Sequence, residues 1–440
     1  MRITASDVAA RTRGTLAGAD ATADGLAFDS RTLLPGQAFV ALSGERDGHD
    51  FLGAAVTAGA AFLIVSRGRS VPGVTCVEVD DTDTAVTVVG HMCRERLRES
   101  APGRVIAVTG SAGKTSTKDF VLAVLRAHWP AAHGAHLSFN NDIGVPVTLA
   151  NAPDGCPAVV VEMGMRGHGE ISRLCEVARP DVGIVTVVGD AHGELVGGID
   201  GVERAKSELP AALPKSGTAV LNIDDHRVAG MSRVTGASVM RYGTTEGADV
   251  RFAIVGVDAN GCCTVDMHNA GETVRVTVPL PGAHMAANAC AAVAAGVAVG
   301  VPFAVAARAV ADISAAPGRM QWRETGGGIR ILDDTYNANP SSMTAALHTL
   351  CSAAATHHVA VLGAMAEISD PTASHRAVWQ DACDLGVDVI ALETDLYGPR
   401  AMSVAEAVSA VAGLGEGTVV LVKGSRSSRT ERVVTALLEL

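Results

Sequence analysis

The stretch Val105-Ile-Ala-Val-Thr-Gly-Ser-Ala-Gly-Lys-Thr-Ser-Thr-Lys118 restricts the fold of this chain more than any other. Val105 to Val108 are apolar, mostly β-branched and followed by a turn signal, which predicts a short buried strand. Past the turn, Phe120, Val121, Val124 and Leu125 recur at helical spacing. Strand, glycine turn, Lys-Thr and helix, in that order, are the parts of a phosphate-binding loop. Gly110 and Gly113, with Ser111 between them, let backbone N–H groups curl round an anion. The helix N-terminus adds its dipole and free donors. Lys114 is placed to reach the outer phosphates of a nucleotide such as ATP, and the Thr115 hydroxyl to ligate Mg2+. The usual loop has a further glycine where Val108 stands, so this is a shortened form, Gly110-x-x-Gly113-Lys-Thr. A plain strand-to-helix turn that happens to contain Lys-Thr is the competing reading, and the agreement of strand, glycines and helix weighs against it.

A chain of 440 residues with 48% apolar residues and only 3% aromatic has material for several cores built from Ala, Val and Gly. That suits α/β layers with closely packed helices and strands. A net charge of −12 argues against a nucleic-acid partner and requires local Lys/Arg clusters for any anionic ligand. The nine cysteines form no C-x-x-C pair, which points away from a disulfide framework or zinc site. No apolar run reaches membrane-spanning length and the N-terminus has no signal-like core, so a cytoplasmic protein without an integral membrane segment is expected.

Three units are expected: 1–100, 101–316 and 317–440. In the first, Phe39–Leu42 and Ala61–Val65 read as buried strands flanking a helix, and Arg94–Ser100 with Ala101-Pro-Gly103 reads as a charged linker. In the second, the strand Ala158-Val-Val-Val161 runs into Glu162, and Asp181–Val188 is followed by Asp190-Ala-His192. Strand C-termini face the ligand crevice in a doubly wound sheet, so Glu162 stands where a Mg2+ ligand would, and His192 beside it. Lys206 lies on a helix between Glu203 and Glu208, a setting that on its own predicts an ion pair at helical spacing. Val250–Val278 alternates as short antiparallel strands, and an alanine-rich helix then opens with His284 and Asn288 on one face. Past Ala316-Pro-Gly318, strands alternate with helices again, one ending at Asp333-Asp334 and the last in the basic turn Lys423–Arg426. The fold class is therefore α/β in three domains: a small N-terminal α/β domain, a central P-loop-type ATPase domain with a mostly parallel sheet, and a C-terminal Rossmann-like α/β domain.

Taken together, these residues resemble the Mur ligase family over essentially the whole chain. The matching motifs are Asp29-Ser-Arg31 with Asp47-Gly-His-Asp50, the loop Thr109–Thr115, Asn140–Pro146, Glu162, Asp190-Ala-His192, Ala205-Lys-Ser-Glu208, Pro281–His284 with Asn288, Gly318-Arg-Met320, Asp333–Met343 and Lys423–Arg426. The run Asp333-Asp-Thr-Tyr-Asn-Ala-Asn-Pro340 is the most specific, and points to the branch that adds D-alanyl-D-alanine to a UDP-muramoyl tripeptide. The resemblance implies a monomer using ATP and Mg2+: the substrate carboxylate is phosphorylated, and an amine attacks the acyl phosphate. It implies that Gly110, Ser111, Gly113 and Lys114 hold phosphates, and that Thr115 and Glu162 ligate one Mg2+. His192 and a carbamylated Lys206 would serve a second. His284 and Asn288 would lie near adenine, Arg319 at the γ-phosphate and Asp334 at the ribose. Ser30 and Arg31 would hold the uridine diphosphate. Asn140, Asn141, Tyr336, Asn337, Asn339, Lys423, Ser425 and Arg426 would meet the peptide and amine substrates.

The chain departs from the family pattern at Met285, where Asn is usual, and in Leu362-Gly-Ala-Met-Ala-Glu-Ile-Ser369, where Ala364 replaces Asp and Ser369 replaces Gly. Two other functions fit the same fold: a ligase joining a different acid and amine, as in secondary metabolism, and a nucleotide-binding relative without turnover. Survival of Glu162, His192 and Lys206 together speaks against the latter.

Overall fold

The computed structural model describes residues 1–100, 104–135 and 138–440, without the side chains of Glu99 and Ser100. Its centre is a nine-stranded sheet. The strand Arg104–Thr109 lies between Ala158–Glu162 and Val182–Val185, all parallel. Val105 to Val108 are completely buried. A strand covered on both faces reads as a continuous apolar run, the pattern its sequence shows. Thr218–Asn222 and Ser238–Gly243 continue the parallel order outward.

Val250–Val257, Cys262–Asn269 and Glu272–Pro281 then extend the same sheet as an antiparallel meander. These strands are 8, 8 and 10 residues long, longer than the short strands expected. The phosphate-loop helix Lys114–His128 packs on the alanine-rich helix Ala283–Ala298. The approach is close: a Cβ on Gly296 would lie 2.5 Å from Val124 Cγ1. Small residues therefore set how near the two helices come, and with them how near the phosphate loop lies to Asn288.

The first unit is a five-stranded sheet with a separate two-stranded ribbon. Arg94–Ser100 is not a linker: it forms the last turns of the helix Thr82–Ser100. Three of its charges find partners round the helix. Arg96 bonds Asp7, Glu95 bonds Arg11, and Arg94 turns inward to the Ala178 carbonyl at 2.6 Å and to Asp181 at 3.1 Å. Leu97, next in sequence after them, is buried. A charge run can thus be a helix with partners on every side, which local composition does not reveal. Ala101-Pro-Gly103 lies outside the described residues.

The third unit is a five-stranded sheet in the order Gln321–Glu324, Arg330–Asp334, Thr418–Lys423, His357–Leu362, Asp388–Ala391. Only the first pair is antiparallel. The last strand in sequence inserts beside the first parallel one, so that Asp334 and Lys423 fall in register. The core under the phosphate-loop helix continues through Met320, Met343 and Leu347 into this sheet. The C-terminal strand ends of the second and third units face the same space.

Candidate active site

At the phosphate loop, Gly110 has φ +150° and Gly113 φ +79°. A side chain at Gly110 would collide with the Thr186 hydroxyl, and a Cβ at Gly113 would lie 2.5 Å from Asn288 Oδ1. The loop rests on the segment after Val182–Val185. Ser111 N donates to Val187 O at 2.8 Å, Ser111 Oγ to Gly189 O at 2.8 Å, and Thr186 Oγ1 to Ala112 O at 2.6 Å. These bonds fix the curl against that segment.

Thr115, in the first helical turn, donates its hydroxyl to Glu162 Oε2 at 2.6 Å, and its oxygen lies 3.0 Å from Ser138 Oγ. Asn140 Nδ2 donates to the other Glu162 oxygen at 2.8 Å. Lys114 Nζ folds back onto Gly110 O at 2.7 Å. Burial and the nearby Arg319 charge lower its pKa, with Glu162 acting the other way.

Lys206 is fully buried, and its pKa is pushed well below the usual lysine range, by desolvation first and by the Lys114 charge second. It is not the ion-pair member its neighbours in sequence predict. Glu203 bonds Arg227, while Glu208 accepts from the Gly169 and Ser172 amides at 2.6 and 3.0 Å. The helix Ile199–Ala212 turns Lys206 inward and both glutamates to other partners. His192 carries the mark of both lysines: desolvation and then Lys114 push its pKa down, Glu367 pulls it up, and Lys206 adds to the lowering.

The third unit closes the site from the far side. Arg319 stacks over the Tyr336 ring at 3.9 Å and reaches Ser138 Oγ at 3.2 Å. Asn339 caps the helix Pro340–Ser352 through Ser342 N and also donates to Ser111 O, on the phosphate loop, at 3.1 Å. Between these walls lies a cavity of ≈ 730 Å³. It is lined by Ser111, Gly113, Lys114, Thr115, Asn140, Asn141, Glu162, His192, His284, Asn288, Arg319, Asp334, Tyr336, Asn337, Asn339 and Lys423, all expected as site residues. His284 sits in this wall with its pKa pushed down to about 4 by desolvation, so the ring is neutral near pH 7.

Several expected roles find different geometry. Lys423 is buried and tied to Asp334 Oδ2 at 2.5 Å and to Asn337 O at 2.8 Å. Arg426 is exposed, paired with Glu431 at 3.4 Å, and does not line the cavity. The basic turn therefore does not form one carboxylate clamp: adjacent strand ends pull Lys423 inward, and the turn points Arg426 outward. Ser425 is buried among Ser427 and Ser428 rather than in the cavity. Asn141 accepts from Ile143 and Gly144 amides, opening the helix Gly144–Ala150, although it also touches the cavity. Ser30 and Arg31 lie off the cavity on the first unit, where Arg31 is held by Asp29. Phe28 meets Phe139 at 5.6 Å, which sets their turn beside the loop carrying Ser138 and Asn140.

Ser138, Asn222, Asp225 and Glu367 were not singled out from the sequence. Asn222 donates to Thr186 O at 3.0 Å and Asp225 accepts from Val188 N at 2.8 Å, both bracing the segment under the loop. Their one signal was a polar end to an apolar strand. Glu367 lies 2.5 Å from His192 Nδ1, a pairing that separation in sequence hides.

The profile of the Mur ligase middle domain matches residues 108–296, and that of the Mur ligase, glutamate ligase domain residues 318–426. The chain is 34% identical to the UDP-N-acetylmuramoyl-tripeptide--D-alanyl-D-alanine ligase of Escherichia coli K12, over 99% of this chain and 98% of that one. The chain belongs to the Mur ligase family. Among solved structures it is similar to MurF from Acinetobacter baumannii, with TM-score 0.88, 28% identity and coverage of 100% and 99% of the two chains. It is also similar to MurF ligase from Thermotoga maritima in complex with ADP, with TM-score 0.78, 26% identity and coverage of 94% and 97%. As a member of the Mur ligase family the chain has its phosphate loop, Glu162 and His192 inside the matched middle domain, and Arg319, Asp334 and Lys423 inside the matched C-terminal one.

Proposed function

We propose that this chain is an ATP-dependent ligase that joins D-alanyl-D-alanine to a UDP-N-acetylmuramoyl tripeptide through an acyl phosphate, in peptidoglycan precursor synthesis. One observation carries the reading. Lys114 and Arg319 line the cavity with Glu162, Lys206 lies buried near enough to feel the Lys114 charge, and an ammonium buried beside another ammonium persists only with negative charge added or a proton lost. A nucleotide polyphosphate supplies that charge at the loop. A carbamate on Lys206 supplies it at the second position, turning the cation into an anion. The Escherichia coli relative named above, matched over 98% of its length, is by name a D-alanyl-D-alanine ligase.

In this mechanism the phosphate-loop amides and Lys114 hold the β- and γ-phosphates, Lys114 leaving Gly110 O to do so. Arg319 brings a positive charge from the third unit to the phosphoryl group in transfer. The acceptor carboxylate attacks that group, ADP leaves, and the incoming amine then attacks the acyl carbon and displaces phosphate. His284, neutral, and Asn288 sit at the adenine, and Asp334, fixed by Lys423, at the ribose. The oxygens of Thr115 and Glu162 form a hard donor pair suited to Mg2+, and His192 with carbamylated Lys206 would hold a second ion. When bound, such ions neutralise charge on the transferring phosphoryl group.

The units 1–100, 101–316 and 317–440 then bind the uridine nucleotide, ATP and the amine respectively. Ser30 and Arg31 belong to the first of these tasks. The protein acts as a cytoplasmic monomer; no helix among the described residues is long and apolar enough to cross a membrane. The test is ADP release, with mass analysis of the product, for UDP-muramoyl tripeptides offered D-alanyl-D-alanine, D-alanine or unrelated amines. Ala364 makes the amine panel informative. Product with another amine but none with D-alanyl-D-alanine would keep the chemistry and discard the substrate.

A further inference from the structure

The loop Ala364–Asp370 of the third unit meets the second unit at two adjoining points. Glu367 Oε2 lies 2.5 Å from His192 Nδ1. Ser369 donates its amide to Asp190 Oδ2 at 3.1 Å and its hydroxyl to Asp190 Oδ1 at 2.8 Å. His192 and Glu367 both have left-handed backbone, at φ 63° and 58°. Non-glycine residues adopt that conformation at a cost, and it persists where surrounding contacts enforce it. Gly193 leaves the space the contact needs, since a side chain there would collide with Asp190 and Ser369.

The loop is also braced from behind. Fully buried His375 accepts from Met365 N at 2.8 Å through Nε2, and its Nδ1 lies 2.5 Å from Pro371 O, so one ring ties both ends of the loop. Tyr397 OH donates to Gly363 O at 3.0 Å. A loop fixed at both ends presents Glu367 and Ser369 as a rigid pair rather than as two mobile side chains.

We propose that Glu367 is a positioning residue for His192, and that Ser369, through Asp190, is the clasp that keeps it there. Glu367 touches His192 Nδ1 at 2.5 Å without hydrogen-bond geometry, so it restrains the ring by close contact, and only while the third unit is docked. Docking of the amine-binding unit and completion of the acyl-phosphate site thus become one event. A partner of this kind, behind a ligating histidine, fixes ring orientation. The inference rests on the function proposed above for its kinetic arm only.

Two measurements test it on the full chain. The first is hydrogen exchange of the segments 188–193 and 364–370 with MgADP bound, which needs no turnover. Ser369→Gly, which restores the family's usual residue, is expected to raise exchange in both segments by about tenfold together, while the strand Thr418–Lys423 is unchanged. A rise confined to one segment, or none, overturns the clasp. The second is steady-state kinetics of Glu367→Gln. We expect kcat to fall about 10–100-fold with KM for ATP within about threefold, and Glu367→Asp to recover part of the loss. A kcat within twofold of the unmutated protein, or loss of MgADP binding in step with kcat, overturns the positioning role. An unmutated protein that ligates no amine would count against the proposed function, and exchange would still decide the clasp.

Discussion

Replacing Lys423 by Met separates two accounts of the basic turn. In one, Lys423 binds a substrate carboxylate; in the other, it holds Asp334 in place. Its ammonium is 2.5 Å from Asp334 Oδ2 and 2.8 Å from Asn337 O, and the two side chains are 3% and 15% exposed. Met keeps the unbranched stem and removes the charge. Asp334 is then left with Met320 N at 3.2 Å as its remaining bond. Breaking a buried pair from one side costs about 3–5 kcal/mol, and the lower end applies because Asp334 faces the cavity. About 3 kcal/mol in a unit of this size lowers Tm by roughly 10 °C. Trp322, on the strand beside Arg330–Asp334, reports the loss by fluorescence. Asp334→Asn should cost as much, and the double variant Asp334→Asn with Lys423→Met should recover about 2 kcal/mol of the summed loss. KM for ATP should rise more than KM for the dipeptide. A Tm within about 2 °C of the unmutated protein, together with a dipeptide KM raised tenfold and an unchanged ATP KM, would refute the reasoning.

Gly110→Ala should weaken ADP binding by about a hundredfold or more in calorimetry, because the new Cβ meets the Thr186 hydroxyl and φ is +150°. Thr115→Val, nearly isosteric, should cut kcat by about 10²–10³ and raise the Mg2+ concentration needed for half-maximal rate; an unchanged Mg2+ dependence would speak against the Thr115–Glu162 site. Lys206→Ala should be inactive and regain part of its rate when short-chain carboxylates are added, whereas absence of rescue together with unmodified lysine mass in the native protein would count against the carbamate. His284 is held neutral, its pKa down from 6.5 to about 4. The unfolded chain therefore takes up the proton first as pH falls, so the stability His284 contributes is complete above pH 6.5 and drains away towards pH 4, by up to on the order of 3 kcal/mol. His284→Asn should flatten the fall of the urea midpoint over that range, and equal slopes for the two proteins would remove His284 from the account.

The phosphate loop was legible because each of its parts is local. Strand, glycines, lysine and helix are contiguous, and the sterics that demand glycine at 110 and 113 act within a few residues. Glu162 was legible because an apolar strand that stops at a carboxylate places it at a known edge of a parallel sheet. Lys206 was not: its sequence neighbours Glu203 and Glu208 suggested pairing, and only the direction in which its helix packs gave them to Arg227 and to the Gly169 and Ser172 amides. The charged run Arg94–Ser100 misled for the same reason, since Asp181, Asp7 and Arg11 are remote in sequence.

By itself the sequence determined the layer architecture, the position of the glycine loop and many of the chemical groups near it, because hydrophobic periodicity and glycine geometry are short-range properties. The tertiary structure alone decided which cation meets which anion. Strand order in the third sheet sets Asp334 beside Lys423, and docking of that sheet sets Glu367 beside His192. A charge interaction depends on distance in space and on burial, and neither is written in the spacing of residues along the chain.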